Sequence, residues 1–178
     1  MNARGAQLYA TAETQIDGLI EFFSVHDDAT LAVPCPGREK LGDGTVAASA
    51  QHAADNYQRI ADWLTDGDAG LTSGHGQRGR PGHRIPAFAR HHHPPASHSE
   101  RGSDYSANSI DREGLLTALS AARNALSLIA DLSDEQLTTV PPASDMKFCD
   151  GQRTLEQIIA SLLNHQSHQI DAINAAVG

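Results

Sequence analysis

The sequence has few cysteines and no long apolar run, and each absence excludes a class of protein. Its two cysteines, Cys35 and Cys149, are too few for a disulfide scaffold and have the wrong spacing for a zinc knuckle. No apolar run reaches the roughly 18 residues that a membrane helix needs, and no signal-peptide pattern occurs near the N-terminus. We therefore expect a soluble, cytoplasmic protein with no membrane partner.

The chain also lacks the short motifs of the commonest nucleotide-binding and hydrolytic enzymes. It contains no phosphate-binding P-loop, no dinucleotide-binding glycine pattern after a strand and no Gly-x-Ser-x-Gly turn. The formal net charge is −9. An acidic chain argues against nucleic acid as a partner, because phosphate binding needs a basic face.

Apolar residues at three- and four-residue steps predict an all-α fold without strands. The four predicted helices cover residues 3–25, residues 45–65 with Thr45 as the N-cap, residues 111–132, and a segment that begins at Thr154. Residues 26–43 are rich in proline and glycine and predict a structured loop, whereas residues 133–137 predict one short extra turn.

Residues 66–108 break the helical pattern and contain six of the ten histidines. Five arginines and only two acids fall within residues 72–108. The expected fold is a single domain over 1–178, a four-helix up-and-down bundle with this long His/Arg-rich loop between helices 2 and 3. In such a bundle helices 2 and 4 begin at the same end. Cys35 and Cys149 could then be neighbours, either as reduced structural residues or as a redox or thiol-exchange pair.

Three histidines in the predicted helices form a candidate metal site. A helical projection places His52 on the polar flank of helix 2. His165 flanks the apolar stripe of helix 4, and His168 lies roughly 60° further round. Three imidazoles would leave positions open for water or substrate, which is typical of catalytic sites. Nitrogen ligands favour Zn²⁺, Ni²⁺ or Fe²⁺ over Ca²⁺ or Mg²⁺. The alternative is that each histidine only forms ordinary hydrogen bonds.

Two further groups could support or replace this site. Asp55, three residues after His52, either orients the imidazole or is an ordinary exposed acid. The run His91 to His93 either binds divalent metal or belongs to a solvated loop. The arginines of that loop could also close over an anionic substrate.

Two segments of the chain resemble the DinB/YfiT-like superfamily of metal-binding four-helix bundles. They are Gln51 to Tyr57 in helix 2 and Leu162 to Ile170 in helix 4. The resemblance implies a divalent metal held by one histidine of helix 2 and two of helix 4, here His52, His165 and His168. The helix-4 ligands of the superfamily are usually four residues apart, whereas His165 and His168 are three apart.

The superfamily includes mycothiol-dependent maleylpyruvate isomerases and bacillithiol transferases, in which the metal binds and ionises a low-molecular-weight thiol. The resemblance therefore implies a metal-dependent transferase or isomerase that joins such a thiol to a small electrophilic substrate. The alternatives are a non-catalytic metal buffer or carrier that uses the His-rich loop, and a structural bundle without metal. Bundles of this class often pair, so a homodimer stays open. The sequence assigns no catalytic residue.

Overall fold

The computed structural model describes residues 2–66, 69, 71 and 111–178, and all regular secondary structure in them is helical. The α-helices are α1 (Ala3–Val25), α2 (Asp28–Leu31), α3 (Val46–Thr65), α4 (Arg112–Leu126), α5 (Asp134–Thr138) and α6 (Leu155–Val177). The all-α prediction is confirmed for this part of the chain. Except for residues 66, 69 and 71, the predicted His/Arg-rich loop at 66–108, with His91 to His93, lies outside the described residues.

Side-chain caps fix where the long helices begin. Thr45 Oγ1 accepts a hydrogen bond from the Ala48 amide at 3.3 Å, so that α3 begins at Val46. At the start of α6, Thr154 and Gln157 accept from each other's backbone amides, which is the predicted capping box. These helix starts follow from local sequence because a cap needs only residues within one turn.

Two predicted segments differ from the structure. The loop predicted over residues 26–43 contains α2, a single turn that Asp27 caps by accepting from the Thr30 amide at 3.2 Å. One turn is too short to show helical periodicity, which is why the pattern missed it. The third predicted helix ends as α-helix at Leu126 and continues as a 3₁₀-helix over Ser127–Asp131.

The helices α1 and α6 lie side by side and run in the same direction. Near their starts, Arg4 Nε donates to Glu156 at 2.9 Å. Further along both helices, Gln15 Nε2 donates to the hydroxyl of Ser167 at 2.8 Å. The residue numbers rise together along the contact, which only parallel helices allow.

The helices α3 and α4 both run against this direction. Arg112, at the start of α4, donates to the carbonyl oxygen of His26 just after α1, at 3.1 Å. On α3, Ala53 accepts from Gln166 at 3.5 Å, whereas Ile60 shares a cavity with Leu162, one turn earlier in α6. Therefore α4 is antiparallel to α1, α3 is antiparallel to α6, and α3 and α4 are parallel to each other.

The predicted up-and-down order, in which successive long helices alternate in direction, is therefore wrong. A helix of 20 residues such as α3 is about 30 Å long. The end of α3 and the start of α4 consequently lie at opposite ends of the molecule. The apolar spacing of a helix is the same for either direction of the chain, so the sequence pattern could not distinguish the two orders.

The two cysteines also lie far apart, against the expectation that they could be neighbours. Cys35 Sγ donates to the carbonyl oxygen of Ala172 near the end of α6, at 3.5 Å. Cys149 precedes the start of α6 and donates to the carbonyl oxygen of Pro142 at 3.2 Å. Both are buried and reduced. The reversed direction of α3 relative to α6 places the two cysteines at opposite ends of α6.

Buried apolar side chains from all four long helices form one cluster. Its largest fully buried members are Ile16, Leu19, Phe23, Tyr57, Ile60, Leu115, Leu119, Leu126, Ile129, Leu137, Leu155 and Ile158. Gly5 lets α1 approach the 3₁₀-helix closely, because a Cβ atom there would lie 2.6 Å from the carbonyl oxygen of Ile129. Packing of these apolar faces is the main stabilising contribution in such a fold.

Candidate functional site

A cavity of about 220 Å³ lies between α3, α6 and the connection that precedes α6. Both helices contribute polar residues from the edge of their apolar stripes, as the helical projection predicted for His52 and His165. The lining residues are His52, Asn56, Arg59, Ile60, Asp145, Met146, Lys147, Leu162, His165 and Gln166.

Helical spacing brings the α3 side chains to one wall of this cavity. His52, Asn56 and Arg59 follow one another at four- and three-residue steps, so they share a face of the helix. On α6, His165 and Gln166 lie three and four residues after Leu162, so these three also share a face. His52 and His165, predicted from sequence to act together, therefore face one cavity from two helices.

The third predicted ligand, His168, is placed differently. It is exposed and does not line the cavity. Its backbone carbonyl oxygen accepts a hydrogen bond from Arg38 Nη2 at 2.8 Å. In the described part of the chain, no group of three or more His, Cys, Asp or Glu side chains is arranged to hold a metal ion. The three-histidine site stays a prediction, and the structure brings two of its members together.

Burial and neighbouring cations favour the neutral form of both cavity imidazoles. Desolvation is the largest influence that lowers the pKa of His52; Arg38, Lys147 and Arg59 lower it further, against the opposing charge of Asp55. The pKa of His165 is lowered by burial first and then by Lys147, His52, Arg38 and His168. A neutral imidazole has a nitrogen lone pair with which it can bind a metal or accept a proton.

Lys147 is the closest charged neighbour of His165, with 3.1 Å between its Nζ and His165 Nε2. It belongs to a strained turn, since the next residue, Phe148, adopts a φ of 69°. Two cations lie close to the Phe148 ring, with Lys147 Nζ 5.3 Å and the Arg153 guanidinium 5.7 Å from its centroid. The same ring meets His165 edge-on at 6.5 Å. These contacts hold Lys147 at the mouth of the cavity.

Buried amide and hydroxyl groups continue from the cavity along the α3–α6 contact. Gln166 is 1% exposed and donates through Nε2 to Ala53, while its Oε1 accepts from no described residue. Gln169 and Ser49, both buried, also carry side-chain oxygens without a partner among the described residues. Unpartnered buried polar atoms are costly, and they concentrate at functional sites or beside unseen water.

Asp55, which the sequence predicts either to orient His52 or to be an ordinary acid, lies on the same helix as His52. Its carboxylate accepts a hydrogen bond from Gln51 Nε2 at 2.5 Å. Its charge does favour the protonated form of His52, which a carboxylate close to an imidazole must do. The orienting role stays a prediction.

A second, more open hollow of about 690 Å³ adjoins the cavity. The two share Arg59, Asp145 and Met146, and the hollow extends to Trp63 near the end of α3. The cavity is therefore reached along a groove between α3 and the connection before α6.

Sequence reasoning missed Arg59, Lys147 and Gln166 as site residues. Arg59 carried a weak signal, since it lies seven residues after His52 and so on the same helical face. Gln166 is the neighbour of His165 in sequence. Lys147 carried no signal, because 18 residues and a change of direction separate it from His165.

The chain matches no protein-family model, no curated protein and no solved structure. The resemblance to the DinB/YfiT-like superfamily consequently remains a prediction from two short segments. Within the described ranges, no helix combines the length and apolar character that crossing a membrane requires.

Proposed function

We propose that this chain is a metal-dependent enzyme of the DinB-like class, a four-helix bundle that joins a low-molecular-weight thiol to a small electrophile. The observation that carries the proposal is the pair His52 and His165, which face one cavity from two different helices. Buried polar atoms and a groove to the surface are the setting that a small-molecule site needs.

The two imidazoles suit a divalent transition metal. Burial and nearby cations lower the pKa of each, which favours the neutral form that binds metal. Nitrogen ligands favour Zn²⁺, Ni²⁺ or Fe²⁺. We propose His168, one turn beyond His165 on α6, as the third ligand. When bound, the metal would lower the pKa of a thiol and keep its sulfur nucleophilic at neutral pH.

The remaining cavity residues would bind and orient the reactants. Leu162, Ile60 and Met146 provide an apolar wall that excludes water from part of the cavity. Asn56 and Gln166 provide amides that can donate to or accept from a substrate. A volume of about 220 Å³ corresponds to roughly seven water molecules at the bulk-liquid volume, so the substrate is a small molecule.

The test is metal content by mass spectrometry after purification without an affinity tag. Wild type is compared with His52→Ala, His165→Ala, His168→Ala and a triple variant in which His91, His92 and His93 become alanine. We expect one metal ion per chain, retained in the triple variant and lost in His52→Ala and His165→Ala. Loss in His168→Ala would support the third ligand, and retention would leave that position to another group.

Other outcomes favour the alternatives. Metal that leaves only in the triple variant would support a buffer or carrier that uses the His-rich loop. Absence of metal from every protein, even after incubation with Zn²⁺, would support a structural bundle.

An activity assay tests the proposed reaction itself. Metal-loaded wild type should conjugate a low-molecular-weight thiol to 1-chloro-2,4-dinitrobenzene, a reaction in which the thiolate displaces chloride. His52→Ala should not accelerate it.

A further inference from the structure

The cations of this acidic protein are distributed in an uneven way. Four arginines have a carboxylate partner among the described residues, namely Arg4, Arg112, Arg123 and Arg153. Arg38, Lys40, Arg59 and Lys147 form no ion pair with any described residue. Two of these four, Arg59 and Lys147, line the cavity.

A third cation, Arg38, lies near the cavity without lining it. Arg38 is held by the carbonyl oxygen of His168, and its charge lowers the pKa of both His52 and His165. Asp145 is the one carboxylate among the residues that line this cavity. The lining cations Arg59 and Lys147 and the nearby Arg38 outnumber Asp145 in the cavity and Asp55 beside His52, so the local charge is positive although the chain as a whole carries −9.

The cavity wall also provides hydrogen-bond donors. Asn56 has an amide at the cavity wall. The Lys147 ammonium has three N–H groups, and the contact with His165 Nε2 uses one of them. A cavity with unpaired cations, an amide donor and partial shielding from water binds an anion, because charge-assisted hydrogen bonds are stronger there than in water.

We propose that the cavity binds a small anion, a carboxylate or phosphate group held by Lys147 and Arg59 and drawn in by Arg38. The inference rests on the proposed function only in identifying this anion as part of the enzyme's substrate, which would therefore be an acidic electrophile. Anion binding by the three cations themselves needs no metal. The two proposals can consequently fail separately.

The test is isothermal titration of metal-free protein, prepared with a chelator, with succinate and with inorganic phosphate. Succinamide serves as the uncharged counterpart of succinate. The variants are Lys147→Gln and Arg59→Gln, and Lys40→Gln is the matched control that removes the same charge away from the cavity. Circular dichroism confirms that each variant is folded. The fluorescence of Trp63, the single tryptophan, reports binding independently from the adjoining hollow.

We expect succinate or phosphate to bind wild type and Lys40→Gln equally, and succinamide not to bind. Lys147→Gln and Arg59→Gln should each weaken binding about tenfold, as the loss of one charge-assisted hydrogen bond implies. A preference for one of the two anions identifies the acidic group. If Lys147→Gln does not fold, Arg59→Gln carries the comparison.

The proposal is overturned if neither anion binds, or if Lys40→Gln weakens binding as much as the cavity variants do. It is also overturned if anions bind only after Zn²⁺ is added and both cavity variants bind as tightly as wild type. That last result would support the metal site and assign the anion to the metal. If the protein binds an anion but takes up no metal under any condition, the anion site is supported and the proposed metal-dependent enzyme is contradicted.

Discussion

The ammonium group of Lys147 lies 3.1 Å from Nε2 of His165, and this contact joins a strained turn to the middle of α6. It places a fixed positive charge beside an imidazole whose neutral form burial already favours. A cation in that position disfavours protonation of His165 and leaves N–H groups available for an incoming anion. The charge of Lys147 therefore affects both the protonation of His165 and the binding of an anion in the cavity.

Replacing Lys147 with methionine should raise the pKa of His165 in the metal-free protein. After burial, Lys147 is the largest of the influences that lower this pKa, and removing its charge lets the imidazole protonate more easily. The pKa is read from the ring-proton chemical shifts in an NMR titration. Lys40→Met is the matched control, and an equal rise in both variants would contradict the role of the contact.

The metal-free protein should lose stability as the pH falls below about 6.5, the ordinary pKa of histidine. His52 and His165 both have a folded-state pKa below that value. The unfolded chain therefore binds more protons in this range, so the free energy of unfolding decreases with decreasing pH. Urea titrations at pH 7.5 and pH 5.5 measure the change. In the double variant His52→Gln/His165→Gln the decrease should be smaller.

Gly5→Ala should destabilise the fold by about 1–3 kcal/mol, the usual cost of overpacking. Its new Cβ would lie 2.6 Å from the backbone carbonyl oxygen of Ile129, which cannot rotate away. Gly18 lies in the same helix with nothing within 4 Å of its Cβ position, and is the control. Gly18→Ala should instead stabilise by about 0.5–1 kcal/mol. Thermal unfolding compares the two, and equal effects would contradict the close approach.

Tyr57→Phe should cost about 1 kcal/mol of stability. The Tyr57 hydroxyl is buried and donates to Gln15 Oε1 at 2.9 Å, while Gln15 Nε2 donates to Ser167. Removing the hydroxyl leaves the half-buried amide oxygen of Gln15 without its donor at the meeting point of α1, α3 and α6. The control is Tyr9→Phe, whose hydroxyl makes a weaker contact of 3.3 Å with Glu13. Denaturant unfolding should show a smaller loss for Tyr9→Phe.

Oxidation should not join Cys35 to Cys149 within one chain. Cys35 contacts Ala172 and Cys149 precedes Leu155, and these two α6 residues lie about 26 Å apart along the helix. A disulfide requires Cα atoms within about 7 Å. Mass spectrometry of the diamide-treated monomer under non-reducing conditions checks this. A loss of two hydrogens with a Cys35–Cys149 cross-linked peptide would refute the arrangement of the helices.

Local sequence determined the helices themselves. Thr45, Asp111 and Thr154 are capping residues whose partners lie within one turn, so the starts of α3, α4 and α6 follow from three or four letters each. The positions of His52 and His165 at the edge of their apolar stripes follow from helical spacing in the same way. Features that depend only on residues within one helix, such as its cap and the face on which a side chain lies, can therefore be predicted from the sequence.

The relative directions of the long helices are determined only by the tertiary structure. The apolar periodicity of a helix is the same for both directions of the chain, so the direction of α4 relative to α3 could not be read from it. The alternating order was for this reason a reasonable but wrong prediction, and the expected meeting of Cys35 and Cys149 failed with it. The position of Lys147 in the site likewise depends on tertiary packing. The connection before α6 packs against α3 and α6, and this packing brings Lys147 to His165.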